Sequence, residues 1–207
     1  MTDLFEKEAE QESVSIPYFL ENKKRIFDLG QGIYANRAYI FRQQGGKVPP
    51  YTAMLRKMRL QAVAFFALAA LQGSLMLAGD VTILKVLLTL LTAFLGCAML
   101  LVVRAGRKAY QKALQDYEER NSGRGGTLTF DARGLTECSD HGETLELQWE
   151  EYEACVICPD AIVILSTRPV MIICSRRDET ELAVRGALEQ AEKAHTVFQV
   201  SIKEKRT

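Results

Sequence analysis

Residues 60–79 read LQAVAFFALAALQGSLMLAG, and residues 86–103 read VLLTLLTAFLGCAMLLVV. The first stretch runs for 20 positions without a charge, broken only by Gln61, Gln72 and Ser74. Asp80 and Lys85 interrupt, and the second adds 18 uncharged positions, 11 of them Leu, Val or Phe. At about 1.5 Å per helical residue the two stretches reach about 30 and 27 Å, close to the hydrocarbon thickness of a bilayer. Eleven such residues at about −0.3 to −0.6 kcal/mol each favour insertion of the second by roughly 3 to 7 kcal/mol. The first has eight comparable residues and two glutamines that offset part of the gain. A helix pair buried in a soluble bundle rarely excludes charge for so long, and the rest of a 207-residue chain is too short to enclose two. The sequence therefore predicts a transmembrane hairpin over 60–103, with spans at about 60–79 and 83–103. An apolar run that starts near residue 60, behind an acidic N-terminus, does not have the position of a signal peptide.

The flanks predict an orientation. Lys47, Arg56, Lys57 and Arg59 precede the first span, and Arg104, Arg107, Lys108 and Lys112 follow the second. The connection carries only Lys85, against Asp80. Positive charge concentrates on the cytoplasmic side, so both flanks and both termini are expected there, with a very short outer loop, in the cell membrane. Lys85 reads as an interfacial anchor more readily than as an ion-pathway residue. Ala69, Gly73, Ala93 and Gly96 would let the two helices approach closely.

Overall composition is that of a folded protein, with 48% hydrophobic and 25% charged residues. Twenty-six basic and 26 acidic side chains cancel, which argues against nucleic-acid binding by bulk charge. The balance conceals a segregation: residues 1–120 hold 16 basic and 11 acidic residues, and 121–207 hold 10 and 15.

Residues 1–14 read as an acidic tail (Asp3, Glu6, Glu8, Glu10, Glu12). From 15 to 59, apolar residues at Ile16, Phe19, Leu20, Ile26, Phe27, Ile33, Tyr34, Ala38 and Phe41 fit one face of a helix, accompanied by Lys23, Lys24, Arg25, Arg37 and Arg42. Such a basic amphipathic segment either lies on anionic lipid or packs on the rest of the protein. Residues 104–126 predict a juxtamembrane helix to Arg120 and then a glycine-rich linker, Asn121-Ser122-Gly123-Arg124-Gly125-Gly126.

From Thr127 the apolar period becomes that of strands: Thr127 to Asp131, Leu135 to Ser139, Thr144 to Trp149, Glu151 to Cys158, Ala161 to Ser166 and Val170 to Cys174. The last strands are apolar on both faces, which requires cover on both. Val184, Ala187, Leu188, Ala191, Ala194 and Phe198 lie at helical intervals and predict a closing C-terminal helix. Residues 127–200 are thus expected to form a pleckstrin-homology-like antiparallel β domain, followed by a polar tail, 201–207. The fold class is α+β, a membrane hairpin with this cytoplasmic domain attached.

The hairpin together with Leu128-Thr129-Phe130-Asp131, Gly134-Leu135, Gly142-Glu143 and Leu147-Gln148-Trp149-Glu150 resembles the YcxB-like family of small bacterial membrane proteins. The resemblance covers the hairpin and roughly residues 127–178. It implies a cytoplasmic pleckstrin-homology-like domain. Where that family tends to carry an Ile-Pro-Lys-Arg-like stretch, this chain has Ile173-Cys174-Ser175-Arg176-Arg177, and no N-terminal strand is evident.

Reactive chemistry has few candidates. Cys155 and Cys158 are spaced like a redox pair, but three positions apart on a strand they lie about 10 Å apart on opposite faces. Glu150, Glu151 and Glu153 beside them disfavour thiolates, and a turn at Pro159-Asp160 would pair Cys155 with Ile164. Cys97 reads as a small apolar residue of the second span. His141 stands in a turn between Asp140 and Glu143, and His195 on the last helix. The glutamates read as the outer face of a strand. No catalytic, cofactor or metal site is expected. The domain's net negative charge should repel it from an anionic leaflet, with Arg168, Arg176 and Arg177 the local exception. The leading function is thus a non-enzymatic membrane protein presenting an interaction domain to a protein partner or to another copy of itself. The alternatives are an accessory subunit of a transporter or signalling complex, or a membrane thiol or hydrolytic enzyme using Cys155, Cys158 or His141.

Overall fold

The computed structural model describes residues 13–79 and 81–203; most of the expected acidic and polar tails lies outside them. The chain divides into two units. One comprises residues up to Pro50 and from Asp116 onward, and the other Tyr51–Gln115.

The second unit consists of α3 (Tyr51–Leu77) and α4 (Ile83–Arg120) up to Gln115. The elements before it are β1 (Val14–Phe19), α1 (Lys23–Ala35), α2 (Arg37–Gln43) and β2 (Gly46–Val48). After it come β3 (Gly125–Phe130), β4 (Gly134–Ser139), β5 (Thr144–Gln148), β6 (Tyr152–Ile157), β7 (Ala161–Ser166) and β8 (Met171–Ser175). The chain finishes with α5 (Asp178–Gln190), a 3-10 turn (Ala194–Thr196) and β9 (Val197–Ile202).

The two helices of the second unit meet along a narrow seam. Ala62 and Ala69 on α3 and Thr92, Gly96, Val103 and Tyr110 on α4 are its buried residues. Gly96 admits the Phe66 ring, which would lie 3.2 Å from a Cβ there. Gly73, expected in the same contact, has open space in front of it. Helix α4 does not stop where charges begin at Arg104, because one face of its continuation stays apolar.

In the first unit, β1-β3-β4-β5 form an antiparallel sheet. A second sheet has the order β2-β9-β6-β7-β8, antiparallel from β6 to β8, with β9 parallel to both β2 and β6. The segment 14–19 is therefore a strand, where the intervals of Ile16, Phe19 and Leu20 had suggested a helix. Burial explains it: Ile16 and Tyr18 are buried while Ser15, Pro17 and Phe19 are exposed, a period of two. Pro17 is tolerated because β1 is an edge strand.

Helices α1 and α2 are separate, broken at Asn36, and the apolar face of α1 is not available to lipid. Ile26, Phe27, Leu29 and Ile33 are buried, and the helix packs on β7 and β8. Gly30 lets it approach, since a Cβ there would meet Ile173 Cδ1 at 2.5 Å. This supplies one of the two covers that the all-apolar strands require. Helix α5 packs against β1 through a buried face containing Val184, Ala187 and Leu188.

Residues 121–126 are not a linker. Asn121 is buried, and Gly125 and Gly126 already belong to β3. Their missing side chains serve strand contact: a Cβ on Gly125 would stand 2.1 Å from Tyr18 O, and one on Gly126 would stand 2.3 Å from Cys138 O. Helix α5 ends at Gln190, well short of Phe198. Glu192 takes φ 59°, and the Lys193 amide donates to Leu188 O at 2.7 Å, closing the helix so that Val197–Ile202 turns into a strand.

The residues that carry the family resemblance are structural. Asp131 Oδ1 accepts from the amides of Arg133 and Gly134 at 2.7 and 3.0 Å, fixing the β3–β4 turn. Trp149 Nε1 donates to Asp131 O at 3.0 Å, and its ring lies between those of Phe130 and Tyr152.

Candidate functional site

Two features stand out in a molecule otherwise explained by packing. The first is the surface of the hairpin. Among the described residues, every large apolar side chain left exposed lies between Leu60 and Val102, except Phe19, Tyr39 and Leu182. Both helices are long and apolar enough to cross a membrane. Only 11% and 17% of their most apolar windows are buried inside the protein. They are not the core of a bundle. Lys85 sits in the first turn of α4, at the end of the hairpin next to the short connection, and Cys97 is exposed on the outer surface.

The second feature is a buried polar cluster in the first unit. Glu137 on β4 is 4% exposed. Tyr18 donates its hydroxyl to one carboxylate oxygen at 2.7 Å, and Arg120, the last residue of α4, donates to the other at 2.9 Å. Gly126 makes the first contact possible: the Tyr18 ring and hydroxyl would lie 2.9 Å from a Cβ at that position. The Tyr117 ring packs on Phe27 at 4.9 Å, and its hydroxyl and that of Ser139 are buried without a protein partner among the described residues. Burial raises the Glu137 pKa above the ordinary carboxylate range despite the opposing pull of Tyr18 and Arg120. Burial likewise raises the hydroxyl pKa of Tyr18 and of Tyr117, with the Glu137 charge adding to both. This carboxylate was not singled out in the sequence. The available signal was parity, since Glu137 shares the inward side of its strand with Leu135 and Ser139.

The sequence candidates are placed as follows. Cys155 pairs across β6–β7 with Ile164, and both cysteines of the pair are buried, with Cys174 also inside. Burial pushes the Cys155 thiol up to about 12 and raises those of Cys158 and Cys174, so none supplies a thiolate near neutral pH. Cys158 Sγ faces Ala161 O at 3.2 Å as a buried donor. His141 is exposed in the β4–β5 turn beside Gly142, whose φ is 81°. His195 is exposed in the 3-10 turn, not on a helix face.

The glutamates do not form one strand face either, because β6 begins only at Tyr152. Glu151 pairs with Arg168 at 2.8 Å, and Glu153 with Arg37 at 3.9 Å. The cations of the supposed basic patch are engaged as well. Arg176 pairs with Glu181 at 2.6 Å, and Arg177 pairs with Glu21 while lying over the Phe19 ring. No group of His, Cys, Asp and Glu arranged for a metal occurs among the described residues.

Comparison with models of known protein families, with curated proteins and with solved structures gives no match.

Proposed function

We propose that this is a two-span protein of the cell membrane that presents a pleckstrin-homology-like, YcxB-like interaction domain to the cytoplasm and has no catalytic activity of its own. The observation that carries the reading is the exposed apolar hairpin. In water each of those side chains would cost about 25 cal/mol per Å² of apolar surface, whereas in hydrocarbon the cost vanishes. Eight basic side chains and one acidic one, Asp80, lie in Tyr51–Gln115, and all the basic residues except Lys85 flank the apolar stretches. That distribution favours both flanks on the cytoplasmic side.

The domain assignment rests on strand order. Four antiparallel strands (β1, β3, β4, β5), then three (β6, β7, β8), then a helix against β1 is the sequence of a pleckstrin-homology barrel, with β2 and β9 added at the edge of β6. On this reading the membrane hairpin is inserted between the first and second strands of the barrel. The buried, protonated thiols favour a binding module over the thiol enzyme, and the solvated His141 gives hydrolysis no aligned nucleophile. The module's partner is then a protein or another copy of the chain.

Cys138 provides the test, as the exposed thiol of the first unit among the described residues. A membrane-impermeant maleimide should label it in inside-out vesicles and not in right-side-out ones, while a Thr82→Cys variant gives the opposite pattern at that position. Release of the protein from vesicles by alkaline carbonate, or Cys138 labelling only from the outside, overturns the proposal.

A further inference from the structure

We infer that the charged end of the hairpin is a collar that gathers anionic phospholipid headgroups, an inference that rests on the membrane reading above. Its basis is the register of the two helices. Tyr51 stacks on Tyr110 with ring centroids 5.6 Å apart. A Cβ on Gly106 would lie 3.2 Å from Leu55 Cδ2, and one on Gly96 would lie 3.2 Å from the Phe66 ring. Position rises along α3 as it falls along α4, so Leu55 is level with Gly106. Arg56, Lys57 and Arg59 follow Leu55, while Arg104, Arg107 and Lys108 bracket Gly106. At about 1.5 Å per residue all six fall within a band of about 9 Å along the hairpin.

All six are exposed, and none is in an ion pair among the described residues. The hairpin itself offers no carboxylate near them, because Asp80 is its one acid and belongs to the connection at the opposite end. The apolar surface starts directly beyond the band, at Leu60 and Val63 on one helix and Val102 and Leu101 on the other. In a bilayer that level is where lipid phosphates sit. Guanidinium groups bind phosphate oxygens in bidentate fashion, and four of the six cations are arginines. A phosphatidylglycerol headgroup keeps its full negative charge, whereas the ammonium of phosphatidylcholine cancels it. Net charge therefore selects the anionic lipid, by about fivefold in local occupancy for each cation near the surface.

The test is electron paramagnetic resonance on the full chain reconstituted in phosphatidylcholine vesicles, with spin-labelled phosphatidylglycerol or phosphatidylcholine as probe. The expected result is a motionally restricted fraction favouring phosphatidylglycerol by roughly fivefold or more at low salt. The preference should collapse toward unity at about 1 M salt, where screening acts beyond about 3 Å. It should disappear when Arg56, Lys57, Arg59, Arg104, Arg107 and Lys108 are all changed to Gln, and survive when the four arginines become Lys. Equal restriction of the two probes in the wild type, or a preference that persists in the Gln variant, overturns the collar and leaves the membrane reading standing. Failure of the wild type to enter vesicles at all overturns the membrane reading instead. If the Gln variant does not fold, the wild-type salt titration decides: a salt-insensitive preference refutes the inference.

Discussion

In the hairpin, Leu84, Leu87, Leu90 and Phe94 are between 58% and 76% exposed, whereas Ile157, Ile162, Ile164 and Leu165 in the sheet are at 1% or less. Charge divides the same way. Tyr51–Gln115 holds eight basic side chains and one acidic, and the rest of the chain holds 18 and 25. One polypeptide thus uses the same residue types under two different rules. In the β unit an apolar side chain is stabilising because other side chains surround it. In the hairpin only the narrow seam between the helices is held by internal contact, and most of the apolar side chains face outward.

Paired substitutions are the most direct way to break that comparison. Ile164→Ala should cost about 2–5 kcal/mol by removing transfer energy and opening a cavity. Leu91→Ala, on the 55% exposed outer surface of α4, should cost less than about 0.5 kcal/mol in detergent. Thermal unfolding of the two purified variants measures both, and equal losses would mean that the hairpin is an ordinary core. A smaller effect is expected at the buried cluster. Tyr18→Phe removes a hydrogen bond to a carboxylate that water does not replace, which should cost about 1–3 kcal/mol.

The Glu137 carboxyl sharpens the contrast through pH. Its folded pKa lies above the unfolded value, so its contribution to stability is complete below the ordinary carboxylate range and is lost as pH rises through the folded value. Glu137→Gln keeps an acceptor for Tyr18 and has no such titration. The melting temperature of that variant should therefore gain on the wild type as pH increases from about 4 to 8, and a progressive loss would refute the assignment. A small gain is expected at Glu192, whose left-handed backbone suits glycine. Glu192→Gly should stabilise the β unit by about 0.5–1 kcal/mol, read as a rise in the denaturation midpoint.

The hairpin was legible in the sequence because its apolar runs are long and uncharged, and the six strands from β3 to β8 because short apolar segments alternate with turn residues. Strand β1 was hidden twice over. Its residues Ile16 and Phe19, with Leu20 just beyond it, mimic helical spacing, and the partner that makes it a strand is β3, more than a hundred residues away. Strand β9 was concealed by Ala191, Ala194 and Phe198, which continue the apolar intervals of α5 past the point where Glu192 turns the chain. The glycines at 125 and 126 looked like punctuation because composition alone cannot distinguish a flexible joint from a strand that another backbone crosses closely. Glu137 escaped notice because a strand acid is usually solvated, and only the identity of its neighbours on the same side, Leu135 and Ser139, marks it as interior.

The placement of the hairpin between two paired strands has a consequence for synthesis. On the ribosome β1 emerges long before Gly125–Phe130, the strand it pairs with. At about 5–20 residues per second that wait lasts roughly 5 to 20 seconds. Both helices are translated during the interval, so on the membrane reading proposed above they would reach the translocon before the first sheet is complete. A fragment beginning at residue 121 never receives β1, and its β3 edge stays open to pairing with other chains.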